Sequence, residues 1–285
     1  MNIFDMADDN SDSLRTRYNS LRSKYETQGN LGILDEFAKL VRDEWTVSIN
    51  MDLLAIYDFL ESGRCKNAHE VKKELAEELE EHGTLEVPPL EEALKGHFKS
   101  YYKPRTVFDR TAENGEKFKY SALNIGGLGA YKYGEFCVVL ERRQVEKYPS
   151  LAFIKEDSLR YVRSNIVDNS RLGQDIANRE CVHFLVVLKH QGDINSIPNH
   201  KWPSMVCCSK EYTEAITADD ILNTHIDVVR MSKEYIKPYF DDLLKYYASE
   251  LSDNSRKCEL EVFRRILKLL DQQKIEREEL DENGN

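Results

Sequence analysis

The chain lacks any apolar run near the ~18 residues that a membrane-crossing helix needs, so a transmembrane span is excluded at the outset. Its first residues, MNIFDMADDNSDS, are acidic and carry no apolar core, unlike a secretory signal, and the expected location is the cytoplasm. The six cysteines (Cys65, Cys137, Cys181, Cys207, Cys208, Cys258) show no metal-ligand spacing, and adjacent Cys207 and Cys208 cannot comfortably face one ion. They read as reduced, mostly buried thiols. The seven histidines form no HExxH or paired pattern, which argues against a zinc hydrolase. Basic charge is scarce: 40 Lys and Arg against 51 Asp and Glu leave a net charge of −11, unsuited to a long-range grip on a nucleic-acid backbone.

What is present is enough for a sizeable core. The 285 residues are 41% apolar, with 15 tyrosines, and suit one large domain or two small ones. The stretch KYSALNIGGLGAYKYGEFCVVL, from Lys119 to Leu140, stands out. Tyr120 to Ile125 has strand-forming residues, Gly126, Gly127 and Gly129 release the backbone, and Glu135 to Leu140 predicts a second, buried strand. The loop has no Walker lysine and opens no helix, so neither a nucleotide-triphosphate nor a dinucleotide phosphate loop applies. Taken alone, the stretch predicts a β-hairpin with a long glycine-rich loop.

Along the chain, a polar tail precedes helices over about Ser13–Glu26 (Leu14, Tyr18, Leu21 and Tyr25 in step) and Leu31–Asp43. Trp45 to Asn50 alternates like a strand, and Asp52 opens an apolar helix closed by Gly63. A charged helix from His69 to His82, the prolines Pro88-Pro89 and a helix from Leu90 to Tyr102 follow. Glu156 to Glu180 predicts a long irregular segment. Cys181–Leu188, Ser204–Cys208 and Glu211–Ile216 read as strands, and the chain from Thr224 onward as helix with a kink before Pro238. These elements predict an α+β fold in which helix outweighs strand. The expected division is an N-terminal helical segment (1–44), a central domain (45–230) and C-terminal helices (231–285).

The strand Thr46–Asn50 with its helix ending at Gly63, a later strand opening on Tyr120-Ser121, and EYTEAITADDI around Glu211 and Glu214 resemble the ordered pieces of an ADP-ribosyltransferase domain. More narrowly, YSALN, the following YG…VL, Asp157-Ser158 and Tyr212-Thr-Glu214-Ala resemble a family of bacterial toxin-like transferases. The likeness covers about Val47 to Ile221. It implies a split, mainly antiparallel β core with N- and C-terminal helices, and NAD as the substrate that donates ADP-ribose. Glu214 would hold the ribose hydroxyl and stabilise positive charge on the anomeric carbon as nicotinamide leaves, a role worth about 3 to 4 kcal/mol for one well-placed group. Tyr120 would stack on nicotinamide and Ser121 would support the cleft. Glu211 or Tyr212 would orient the acceptor, Tyr212 on the face of Glu214 by strand alternation.

The first strand departs from the family, because it offers no Arg or His for NAD. Ser48 and Asn50 are the polar substitutes there, and Arg64, Lys66 and Asn67 stand ready after the helix for the pyrophosphate. The acceptor implied is a macromolecule, protein or nucleic acid, the latter served by a basic rim at Arg142-Arg143, Arg160, Arg163 and Arg171. Members of such families act in toxin–antitoxin or anti-phage systems under a silencing antitoxin or chaperone partner. Two alternatives accompany this expectation: a non-catalytic interaction scaffold using Leu260, Phe263, Ile266, Leu267 and Leu270, and an NAD glycohydrolase using the same cleft with water.

Overall fold

The fold is described from a computed structural model, which covers residues 1–81, 92, 94–95, 99–248 and 253–281. In chain order the N-terminal part runs α1 (Ile3–Asp9), α2 (Ser11–Thr27), α3 (Leu31–Glu44), β1 (Thr46–Met51), α4 (Leu53–Ser62), α5 (Ala68–Glu81) and α6 (Tyr102–Thr111). The middle continues with β2 (Lys119–Asn124), β3 (Phe136–Leu140), α7 (Arg142–Val145), β4 (Leu151–Ile154), β5 (Val162–Arg163), β6 (Ile166–Val167), α8 (Asn169–Gln174) and β7 (Ile176–Ala177). The chain closes with α9 (Val182–His190), α10 (Trp202–Val206), β8 (Glu214–Thr217), β9 (Ile226–Ser232), α11 (Lys233–Tyr247), α12 (Asn254–Gln273) and β10 (Glu276–Leu280). Residue 82, the two prolines 88–89, most of the helix expected over 90–102 and the tail beyond 281 lie outside the described residues.

Eight strands form one sheet in the order β10-β9-β3-β1-β2-β8-β4-β7, every pair antiparallel except β10 with β9. The protein is thus mixed α and β around a large, mostly antiparallel sheet. Strands β3 and β4, FCVVL and LAFI, are apolar and buried at every position, as strands covered on both faces are. In β4, Leu151 and Phe153 enter the larger core while Ala152 and Ile154 enter a second one, as period-two alternation requires. The larger core joins residues from Leu14 of α2 to Leu270 of α12; the second gathers Ile3, Phe108, Phe118, Tyr161 and Ile216.

The local signals at β1 and α4 hold as read. Asp52 caps α4 by accepting from the Leu54 and Ala55 N–H groups, and Gly63 closes it at φ 79°. Other expectations are corrected. The stretch from Cys181 to Leu188 is not a central strand but α9, a helix with Val182, Leu185, Val186 and Val187 all buried, packed against α2 and α3. A helix apolar on all sides has no periodicity to separate it from a buried strand. Ser204–Cys208 falls largely in α10, where Pro203 sits in the first turn. The polar tail contains α1, capped by the Asn2 side chain and anchored by Ile3 and Ala7. The helical region after Thr224 opens with β9, and that after Cys258 closes with β10. The segment 156–180 holds a β5–β6 hairpin, α8 and β7. Finally, β2 and β3 are no hairpin, because β1 lies between them.

Candidate active site

Strand pairing dictates where the site forms. Ser48 of β1 lies opposite Ala122 of β2, Ala122 lies opposite Glu214 of β8, and Tyr120 lies opposite Ile216. Residues directly opposite share a face, and so do residues two apart along one strand. Ser48, Asn50, Tyr120, Ala122 and Glu214 therefore project together, and they line one cavity of about 660 Å³. Helix α6 walls it with Arg105, and the glycine-rich loop after β2 walls it with Ala130, Lys132 and Tyr133. Tyr212 and Ser121 also border it, the Ser121 hydroxyl donating to the Ala215 carbonyl.

The glycine loop is held by the two asparagines of the strands beneath it. Asn124 Oδ1 accepts from the Gly126 and Gly127 N–H groups, while Asn50 Nδ2 donates to the Leu128 and Gly134 carbonyls at 3.0 and 3.1 Å. Gly129 sits at φ 64°, and a Cβ there would lie 2.4 Å from Asn50 Oδ1. Gly134 passes so close to β1 that a Cβ would lie 2.0 Å from the Met51 carbonyl carbon. Glycine at these positions lets the loop press onto the sheet. That is the local reason for the glycines of this loop.

Glu214 is 2% exposed. Its Oε2 accepts from the Ser158 N–H at 2.8 Å, and its Oε1 lies 3.9 Å from the Arg105 guanidinium. Burial, then the neighbouring Asp157, push its carboxyl up to about 7, against the opposing pull of Arg105 and the Ser158 hydrogen bonds. Arg105 lies flat over the Tyr120 ring, 3.6 Å from its centre, with Ser158 Oγ at 3.4 Å and Asp109 at 3.9 Å. Burial opposes the Arg105 charge, and the groups around it more than offset that, so the cation persists. Among the described residues none of its ion pairs is shorter than 3.9 Å, which leaves N–H capacity for a bound anion. The Tyr120 hydroxyl donates to Asp109 at 2.5 Å, and His69 Nε2 lies 3.5 Å from the other Asp109 oxygen.

At the cavity mouth the Tyr133 and Tyr212 hydroxyls are 3.1 Å apart, and both reach Asp157 Oδ2, at 3.1 and 3.0 Å. Burial raises both phenols, which stay protonated at neutral pH. Lys132 places its ammonium 4.6 and 5.1 Å from the same two rings.

Of the residues singled out from sequence, Glu214, Tyr120, Tyr212, Ser48, Asn50 and Ser121 come together around this cavity. Tyr212 lies just ahead of β8, which begins at Glu214 rather than Glu211, with Glu211 in the preceding turn. Arg64 and Asn67 do not reach the cavity: Arg64 pairs with Glu70 and Glu74, and Asn67 bonds the Glu70 N–H and the Glu116 carbonyl. Lys66 is occupied by Asp58 and Glu74, and Glu211 is an exposed turn residue. Sequence reasoning missed Arg105, Lys132 and Tyr133. Asp157-Ser158 was noted as a motif without a role and proves to anchor Glu214 and the two tyrosines. Among the described residues no group of three His, Cys, Asp or Glu side chains could hold a metal ion, and no helix is long and apolar enough to cross a membrane.

No protein-family model, curated protein or solved structure matches the chain.

Proposed function

We propose that the cavity is the active site of an enzyme that cleaves NAD and transfers ADP-ribose to a macromolecular acceptor, with nicotinamide as leaving group. The observation that carries this is Glu214: a buried carboxyl, held by the Ser158 N–H, facing a 660 Å³ cavity beside a loosely paired cation and two tyrosines. Glycosidic cleavage builds positive charge at the anomeric carbon, and a carboxylate fixed in a dry site stabilises that charge more than water does. A carboxyl near 7 also accepts the acceptor's proton at neutral pH. Arg105 supplies the positive charge that the first strand does not, and its N–H groups suit the pyrophosphate. Tyr120, fixed by Asp109 below and Arg105 above, presents its ring to the nicotinamide or ribose. Ser48 and Asn50 line the same cavity from β1, the Ser48 hydroxyl accepting from Asn124 and the Asn50 amide holding the glycine loop.

The test is incubation of purified protein, and of Glu214→Gln beside it, with NAD labelled in its ADP-ribose moiety and a cell lysate divided into protein and nucleic-acid fractions. Free nicotinamide is followed in parallel. Label that enters one fraction and disappears with Glu214→Gln is the expected result. Nicotinamide without incorporated label assigns water as the acceptor, and no turnover in any arm refutes the enzyme.

A further inference from the structure

Beyond Lys132 and Tyr133 the glycine loop has a second side. There a cavity of about 550 Å³ is lined by Asp52, Tyr131, Glu135, Glu234 and Tyr235 as well as the Lys132 and Tyr133 it shares with the catalytic cavity. A third, of about 400 Å³, shares Asp52, Glu135 and Tyr235 with the second and extends to Glu259 and Val262 of α12. The three share lining residues in series, so a groove lined by tyrosines and carboxylates, with Lys132 at its catalytic end, runs beside the catalytic cavity.

The chemistry of that groove is specific. Tyr131 and Tyr235 are 60% and 43% exposed and accessible to a ligand, while Tyr133, 50% exposed, carries the Lys132 ammonium over its ring. The carboxylates have neutral partners: Asp52 accepts backbone N–H groups of α4, Glu135 a bond from Tyr235, and Glu234 the Ser232 hydroxyl. Among the described residues none of the three forms an ion pair. Lys132, which lines the second cavity, turns its ammonium toward Tyr133 and Tyr212 at the catalytic side. Carboxylates with open tyrosine faces attract guanidinium and ammonium groups by charge and by cation–π contact, and rigid tyrosines bind at low entropic cost. The arginines that sequence offered as a nucleic-acid rim border none of these cavities. Arg142 is paired with Glu146, and Arg160 and Arg171 with Glu156.

We propose that the acceptor is a polypeptide, and that a basic, extended segment of it docks along this groove with its cations against Asp52, Glu135 and Glu234. This rests on the transferase reading of the adjoining cavity. The phosphate backbone of a nucleic acid would meet like charge along the same path.

Fluorescence anisotropy tests the groove without NAD. The probes are a labelled peptide of alternating arginine and glycine, a matched glutamate–glycine peptide and an oligothymidine of equal length. The basic peptide alone is expected to bind, more weakly as salt rises toward physiological strength. Glu234→Lys, at an exposed position that spares the core, is expected to weaken binding roughly three- to tenfold. Adding Glu135→Gln weakens it further, with thermal unfolding confirming the fold of each variant. No binding, binding indifferent to Glu234→Lys, or preference for the oligonucleotide overturns the proposal. Peptide binding by a protein that leaves NAD intact refutes the catalytic reading alone, whereas NAD turnover without peptide binding refutes the groove alone.

Discussion

Replacing Glu214 by glutamine separates a functional carboxyl from a structural one. A carboxyl whose folded value of about 7 lies above the ordinary 4.5 keeps a proton in the native state that the unfolded chain has released. Between those limits the folded state binds more protons, so stability falls as pH rises, and above about 7 the full penalty applies. At about 1.36 kcal/mol per pH unit the penalty is roughly 3 kcal/mol, and with Glu214 2% exposed little solvent screening reduces it. Glutamine keeps the shape and an oxygen for the Ser158 N–H, but it carries no charge. In denaturant titrations at pH 8, Glu214→Gln is therefore expected to be more stable than the parent by about 2–3 kcal/mol, with the difference vanishing near pH 4. Its NAD turnover should be lost at both values. A variant less stable at pH 8 would refute the reasoning, because it would mean that attraction to Arg105 outweighs burial and that Glu214 is there to complete an ion pair.

Arg105→Met removes a cation that holds the Glu214 carboxyl down, so the stability decline, which starts near the ordinary 4.5, is expected to run on to higher pH than in the parent, read from the same titrations. Tyr120→Phe keeps the ring beneath Arg105 but strips the 2.5 Å hydrogen bond from Asp109, which is 7% exposed; a loss of about 1–3 kcal/mol in denaturant unfolding is expected, and an unchanged midpoint refutes the contact. Gly129→Ala costs about 1–2 kcal/mol for a left-handed backbone and about 1–3 kcal/mol for crowding Asn50, Ser48 and Cys137. A lowered melting temperature and new proteolysis within residues 126–134 should report it.

The fold was legible where a local signal has one structural meaning. Asp52 and Gly63 bracket α4 because a cap and a left-handed closure act within one helix, and the spacing of Leu14, Tyr18, Leu21 and Tyr25 marks the buried stripe of α2. It was illegible where burial is complete. Val182 to Leu188 sits between α2 and α3 and the sheet, so no polar face betrays its period. β9 and β10 were absorbed into neighbouring helices because β10, EREEL, is a charged edge strand paired on one side only, by β9.

The site divides along the same line. Residues on β1, β2 and β8 come together through strand register, and Glu214, Tyr120, Ser48 and Asn50 were within reach because strands impose a face. Arg105 was not, since its place depends on how α6 packs against the β5–β6 hairpin, a tertiary fact with no local signature. The spacing of Arg105 and Asp109, four apart on one helix, brings them to one side and was the available clue. Arg64, the cation that follows α4 in sequence, is already neutralised by Glu70 and Glu74. Arg105 differs in being incompletely paired, with no carboxylate nearer than 3.9 Å among the described residues. At 3.9 Å the pair leaves no room for an atom between its partners, so on the proposed reading an anion meets Arg105 from the cavity side while Glu214 stays beside it.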